Sequence, residues 1–358
     1  MLTLAVIFGG RSAEHEVSLV SAGSLIAALD PRTYRIVPVG ITREGAWVMP
    51  RDVEAALRDG LADVACEPVA LVADPLRPGL VVGDDRRRID LDAAFPVLHG
   101  PYGEDGAIQG LFELAGLPYA GAGVAASAVG MDKEFMKGLF AQAGLPQVEY
   151  LVLRDRAGEI AGAVAEIEAA FDYPVFVKPV NLGSSVGIAK AHDRAGLGTA
   201  LRDAFAFDRK VIVEAFADAR ELECGVLGNA EPEVSVVAEI VPANEFYDYE
   251  AKYTDGMMAF VIPADIPDER GAEVRRLAAA AFRAIDCAGF ARCDFFLERA
   301  TGRVLVNEIN TIPGLTGMSA FPKVWEASGV PYPRLAERIV ELALERHAEK
   351  RRQRTSRL

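Results

Sequence analysis

Short apolar runs alternate with amphipathic stretches along this chain, and the alternation predicts most of its elements. Leu4–Phe8 is a continuous apolar run closed by Gly9-Gly10, the pattern of a strand covered on both faces. Residues 16–29 then place Val17, Val20, Leu25 and Leu29 at helical spacing, and Asp30-Pro31 stops that helix. Tyr34–Ile41 reads as the next strand, and Ala93–Leu98, ending at His99-Gly100, as another. A helix over Gly106–Ala115 and a short run, Leu117–Ala120, complete a first unit ending near Gly121. Strands and helices in alternation predict a parallel sheet with helices on its faces.

A second unit opens with a helix over Lys133–Ala143, stopped by Gly144-Leu-Pro. Strands at Tyr150–Leu153, Val175–Lys178, Val186–Lys190 and Val211–Glu214 surround a helix at Ile160–Phe171. The third unit carries strands Leu222–Leu227 and Val234–Glu239, a charged aromatic stretch at Phe246–Tyr253 and a helix at Glu269–Ile285. Strands Ala291–Leu297 and Val304–Glu308 follow, then a last helix, Tyr332–Ala348. The expected class is α/β, with an α+β C-terminal part. The expected domains are 1–122, 123–214 and 215–346, with 347–358 as a disordered basic tail.

Composition narrows the function. Of 358 residues, 52 are acidic and 38 basic, for a net charge of −14. The basic face of a nucleic-acid binder is not indicated. No stretch approaches 18 uninterrupted apolar residues, and the apolar N-terminus lacks a basic n-region. Neither a membrane span nor a signal peptide is expected, which favours the cytoplasm. Cys66, Cys224, Cys287 and Cys293 form no C-x-x-C, and the four histidines form no H-E-x-x-H. Reduced buried thiols are expected, and a zinc enzyme is not.

Four segments could carry chemistry. In Tyr173–Ile188 a strand ends in Lys178, a Gly/Ser loop at 183–185 follows, and another strand comes next. Such a hairpin can fold its backbone N–H groups over phosphates, or be a mobile tip with a solvated lysine. Downstream, Asp294 and the Glu308/Asn310 pair lie on two strands joined by a turn at 300–303. Paired positions summing to about 603 set Asp294 opposite Glu308 and Asn310. Three oxygen side chains on one patch suit Mg²⁺, although a charged hairpin edge would look similar. Arg292 shares the face of Asp294 and could offset its charge or meet an oxyanion. Two glycine-rich loops after strands, Gly9–Ser18 with Glu14 and Leu98–Gly106 with His99, sit where open α/β sheets bind ligands. Glu14 could equally serve only the helix dipole.

Together these segments resemble the D-alanine–D-alanine ligases, an ATP-grasp family. The likeness runs in order through GGRSAEHEVS, LHGPYGEDG, MDKEFMK, VKPVNLGSSVG, FYDYEAKY, RCDFF and NEINTIPGLT. It implies a three-domain ATP-grasp architecture, a homodimer, and ATP with two Mg²⁺ ions (or Mn²⁺) between the central and C-terminal domains. Lys133 and Lys178 would touch phosphates under the loop Gly183, Ser184 and Ser185. Glu214 would take the adenine amine and Glu221 the ribose, with Phe216 and Phe296 lining the base and Asn307 beside it. Asp294, Glu308 and Asn310 would hold the metals. Ala215 departs from members that carry a lysine there.

The resemblance also implies that a D-alanine carboxylate attacks the γ-phosphate, and that the amine of a second D-alanine attacks the acyl phosphate. Arg292 and the Gly314 N–H would stabilise the oxyanion. Glu14 would anchor the first ammonium, with His99 nearby, and Ser319 the second carboxylate. Glu14, Ser184 and Tyr253 would link the domains through hydrogen bonds, and Lys252 would approach the γ-phosphate with the lid. A D-alanine–D-lactate ligase, another ATP-grasp carboxylate–amine ligase and a non-catalytic nucleotide-binding module are the competing readings.

Overall fold

The opening apolar run becomes the centre of the first sheet. β1 (Leu2–Gly9) lies between β2 (Tyr34–Ile41) and β7 (Ala93–Val97), parallel to both, and is buried from Leu4 onward. The computed structural model describes residues 1–154, 159–183, 186–242 and 258–353.

The expected parallel sheet is present as β2-β1-β7, and four further strands make the whole a mixed sheet of seven, ordered β6-β5-β4-β3-β2-β1-β7. β3 (Trp47–Pro50), β4 (Cys66–Val72), β5 (Gly79–Val82) and β6 (Arg87–Asp90) extend it, antiparallel to their neighbours. Connections as short as residues 83–86 can join only antiparallel strands.

α1 (His15–Ala28) also differs from its expected face. Val20 is exposed, whereas Ser18, Ser21, Ala22 and Leu25 are buried. The inward stripe holds two serines, so hydrophobicity alone misplaced it. Ser18 accepts the Gly9 N–H at 2.7 Å and donates to the Val97 carbonyl, tying the helix to the ends of two strands.

The second sheet is antiparallel, ordered β10-β9-β11-β8. Its strands are β8 (Tyr150–Arg154), β9 (Val175–Pro179), β10 (Ala189–Ala191) and β11 (Lys210–Ala215). α6 (Ile160–Ala170) and α7 (Arg194–Phe207) pack on it through Val164, Ile167, Leu197 and Leu201. The third sheet runs β14-β13-β12-β15-β16, made of β12 (Ala219–Gly228), β13 (Glu233–Pro242), β14 (Met258–Val261), β15 (Gly289–Glu298) and β16 (Val304–Asn310). α8 (Asp268–Ala284) covers it through Val274, Leu277 and Phe282. Shorter helices precede and separate these layers: α2 (Val53–Asp59), α3 (Ala107–Ala115), α4 (Val124–Met131) and α5 (Lys133–Gln142).

The first and third sheets meet through the C-terminal helices. α9 (Ala320–Ala327) and α10 (Tyr332–Arg351) share one core with Leu4, Val6 and Phe8 through Phe321, Trp325 and Ile339. The rings of Phe95, Phe290 and Phe321 continue it, with centroids 6.1 and 5.6 Å apart. At Gly289 (φ +78°) a Cβ would sit 3.1 Å from the Gly121 backbone, so only glycine allows that approach. The expected disordered tail at 347–358 is partly overturned: α10 continues to Arg351, and Lys350 pairs with Glu113 at 2.5 Å. An amphipathic helix docked on this core gains more than a free tail would. Among the described residues, no helix is long and apolar enough to cross a membrane.

Candidate functional site

A cleft of about 350 Å³ lies between the second and third sheets. Lys133 of α5, Lys178 of β9, Gly183 of the flap loop, Glu214 of β11, and Phe216 and Glu221 beside and on β12 all line it. Asp294, Phe296, Asn307 and Glu308 close the far wall. The strand pattern and the family resemblance together thus named residues from seven places that the fold brings into one space. The flap is the expected hairpin: Ala189 pairs antiparallel with Val177. Its base is held by Lys133, whose Nζ donates to the Leu182 carbonyl at 2.7 Å. Ser184, Ser185, Lys252, Tyr253 and the Phe246–Tyr253 stretch lie outside the described residues.

The far wall is a row of acids. Glu223, Asp294 and Glu308 are direct neighbours across β12, β15 and β16, and Gly225, Arg292 and Asn310 form the row beside them. The expected pairing of Asp294 with both Glu308 and Asn310 is corrected: Asn310 faces Arg292. In a regular antiparallel ladder the residue two beyond Glu308 faces the residue two before Asp294, and a bulge at Asn307 begins only on the other side of that pair. Asp294 pairs with Glu308, yet Phe295 pairs with Val306. The extra residue changes the alternation, so Val306 and Ile309 both enter the core while Asn307 and Glu308 both line the cleft.

Arg292 offsets part of the charge of this wall. Its guanidinium grips Asp294 with two bonds of 2.7 Å and lies 3.3 Å from Glu223. Glu223 was not among the sequence candidates, although its spacing of two from Glu221 on a strand sets both on one face. Among the described residues no three His, Cys, Asp or Glu side chains are grouped to hold a metal. The donors expected for one are two opposed carboxylates, Asp294 and Glu308, and the Asn310 amide, whose Oδ1 accepts the Ile312 N–H at 2.9 Å. All are hard oxygens, which fits a cation that also takes water and phosphate oxygens.

The opposite wall is basic. Lys178 Nζ lies 2.5 Å from Glu214 Oε2, and Lys137 Nζ lies 2.9 Å from Glu214 Oε1. Burial opposes the Glu214 charge, but the two lysines hold its carboxyl down at about 2. Burial likewise opposes the charge on Lys178, and Glu214 raises its pKa nonetheless. Lys137 was missed, although its i+4 spacing from Lys133 sets both on one helix face. Phe176 and Phe216 stand at the cleft mouth with centroids 6.3 Å apart, and Lys190 lies 4.4 Å from the Phe216 ring centre.

The remaining candidates meet beyond the acidic row. Glu14 Oε2 is 3.0 Å from where a Cβ would stand on Gly100 and 3.9 Å from the one on Gly183, so the first sheet and the flap converge on it. His99 is buried, and its Nδ1 donates to the Ile312 carbonyl at 3.1 Å, leaving Nε2 to accept from Ser21 Oγ at 3.4 Å. Burial pushes its pKa below the ordinary value, which favours the neutral ring. Gly314 lies against Ser319, whose hydroxyl is 2.8 Å from Thr316 Oγ1. Glu104, also missed, is buried beside them. Its Oε2 accepts the Gly100 N–H at 2.6 Å, and its Oε1 accepts no hydrogen bond among the described residues. Burial and the Glu14 charge raise its pKa well above the carboxylate range.

Comparison with known proteins agrees with this arrangement. The family described as D-ala D-ala ligase N-terminus matches residues 3–122, and D-ala D-ala ligase C-terminus matches residues 139–341. A D-alanine–D-alanine ligase of Heliobacterium modesticaldum is 51% identical over 99% of this chain and 98% of its own. That of Acetivibrio thermocellus is 48% identical over 96% of each. Among solved structures, the VanG D-Ala:D-Ser ligase of Enterococcus faecalis superposes with a TM-score of 0.87 at 37% identity, covering 96% of this chain and 99% of its own. The Coxiella burnetii D-alanine–D-alanine ligase superposes at 0.83 with 34% identity, over 98% and 96%. With both halves matched and identity near one half over its whole length, this chain belongs to the D-alanine–D-alanine ligase family.

Proposed function

We propose that this protein joins two D-alanines into D-alanyl-D-alanine, converting ATP to ADP and phosphate, to supply peptidoglycan precursors. The observation that carries this reading is a cleft with Lys133 and Lys178 on one wall and a carboxylate row on the other. Such a cleft suits a triphosphate and its metal, because phosphoryl transfer needs positioning and charge neutralisation above all.

In this reading Phe216 and Phe296 flank the base and Glu221 takes the ribose. The carboxylate of Glu214 is committed to its lysines, so its adenine contact falls to its main chain. Lys133 and Lys178 hold phosphates beneath Gly183, Ser184 and Ser185, with Asn307 and Lys252 alongside. Asp294, Glu308 and Asn310 would hold Mg²⁺, or Mn²⁺, which would supply charge neutralisation for the phosphates.

The first D-alanine is anchored by Glu14 near His99. Its carboxylate oxygen bonds to the γ-phosphorus as the bond to ADP breaks. The second amine, oriented through a carboxylate at Ser319, then bonds to the acyl carbon; phosphate leaves and the amine loses a proton. Arg292 and the Gly314 N–H face the oxyanion between those events, while Ser184 and Tyr253 close the site against water, since acyl phosphates hydrolyse. A homodimer in the cytoplasm is the expected working state.

The test is ADP release by the purified protein with ATP and Mg²⁺, given D-alanine, L-alanine, or D-alanine with D-lactate or D-serine. Products are identified by mass. ADP with D-alanine alone, together with the D,D-dipeptide, is expected. A dominant D-alanyl-D-lactate or D-alanyl-D-serine product at neutral pH would move the assignment to that ligase, and no ADP at all would overturn it.

A further inference from the structure

α5 carries one lysine more than the proposed reaction uses. Lys137 is only 1% exposed and does not itself line the cleft, which it meets through Glu214. Its Nζ stands 2.9 Å from Glu214 Oε1 and 5.5 Å from the centre of the Tyr150 ring. Glu214 in turn presents its other oxygen to Lys178 at 2.5 Å.

Taking an ammonium out of water is costly, and a methionine would fill the same volume without that cost. The charge arithmetic gives a reason for a lysine. A carboxylate shared with Lys178 alone makes a neutral pair, which offers little to a triphosphate. Two lysines on one carboxylate leave a net charge of +1, and of these two only Lys178 lines the cleft. In a partly dehydrated cleft one unit charge is worth far more than in bulk water.

We infer that Lys137 is a positioning residue for the nucleotide. It shares Glu214 with Lys178, so that the trio keeps a net positive charge facing the phosphates. The inference rests on the proposed use of ATP in this cleft.

The test is equilibrium binding of ATP and of adenosine, each without D-alanine, to the full-length protein and two variants. Lys137→Met keeps the volume and removes the charge. Lys137→Met/Glu214→Gln restores the net charge of +1 by leaving Lys178 as the only ion. Lys137→Met is expected to weaken ATP by about tenfold or more and adenosine by less than about twofold. The double variant is expected to bind ATP within about threefold of the unaltered protein. Equal losses for ATP and adenosine, unchanged ATP binding in the single variant, or a double variant weaker than the single one would each overturn the inference. If the single variant does not fold, the double variant decides alone: wild-type-like ATP binding supports the inference and its loss overturns it. Failure of the unaltered protein to make ADP and dipeptide would count instead against the ligase reading.

Discussion

Asp294 stands directly opposite Glu308 across the β15–β16 ladder, and the next pair along has already slipped by one residue. The slip lets two consecutive side chains, Asn307 and Glu308, face the cleft without breaking the core beneath them. A strand in strict alternation would have sent one of them inward. The acids on this wall are thus placed by backbone geometry, and their chemistry can be altered without disturbing the fold.

Glu308→Gln is the sharpest use of that separation. The amide keeps the shape and removes the charge opposite Asp294. Turnover should fall by at least about 10²-fold, while the thermal midpoint reports a stability change within about 1 kcal/mol. Steady-state ADP release and a melting curve on the same preparation check both halves. A variant of normal activity would remove Glu308 from the metal assignment.

Arg292→Lys separates charge from geometry. The guanidinium grips Asp294 through two bonds and also approaches Glu223, and an ammonium keeps the charge but loses the fork. Turnover should drop by about 10²–10³-fold, with a smaller change in the KM for ATP. Initial rates over a matrix of ATP and D-alanine concentrations measure the split. A loss confined to the KM for ATP would place Arg292 with the nucleotide and not with the reacting carbonyl.

How much of this site was legible depends on which force set each part. Glu308, Asp294, Lys178 and Glu14 could be found because strand period and glycine-rich loops place side chains locally. Lys137 and Glu104 carry only weak local signals, an i+4 spacing from Lys133 and a place in the loop after β7. Only long-range packing sets Lys137 against Glu214, whereas Glu104 closes back on Gly100 four residues away. The same holds for the fold. β1, β2 and β7 announced themselves as apolar runs, whereas β3, β5 and β6 have only four residues each and β4 is interrupted by Glu67 and Pro68, so their signal is weak. The inward stripe of α1 was misplaced because Ser18 and Ser21, polar yet fully buried, bond to neighbouring loops and strands.

Glu104 gives a pH-dependent prediction. Unfolded, its carboxyl titrates near 4.3; folded, burial and Glu14 raise its pKa well above that. Between the two values the native state keeps a proton that the unfolded chain has shed, so stability falls as pH rises through the window. Glu104→Gln keeps an oxygen to accept the Gly100 N–H and cannot titrate. The melting temperature of the variant relative to the unaltered protein should therefore climb between about pH 5 and pH 8. Parallel melting curves across that range would show Glu104 to be ionised throughout.

Arg346 tests how the C-terminal helix holds the first sheet to the third. From α10 it donates to the carbonyls of Gly121 and Tyr119, and its guanidinium carbon lies 4.4 Å from the Tyr119 ring centre. Arg346→Ala leaves two carbonyls of buried residues without that donor and uncovers the ring. A loss of about 1–3 kcal/mol is expected in denaturant unfolding. Gly121 is the next-to-last residue of the first family match and touches Gly289 at the start of β15, three residues before Arg292. The variant should therefore also raise the KM for D-alanine, whose proposed site lies between these layers, more than that for ATP, whose proposed site is the cleft between the second and third sheets. Equal rises in both would mean that Arg346 supports overall stability and not the registry of the substrate pocket.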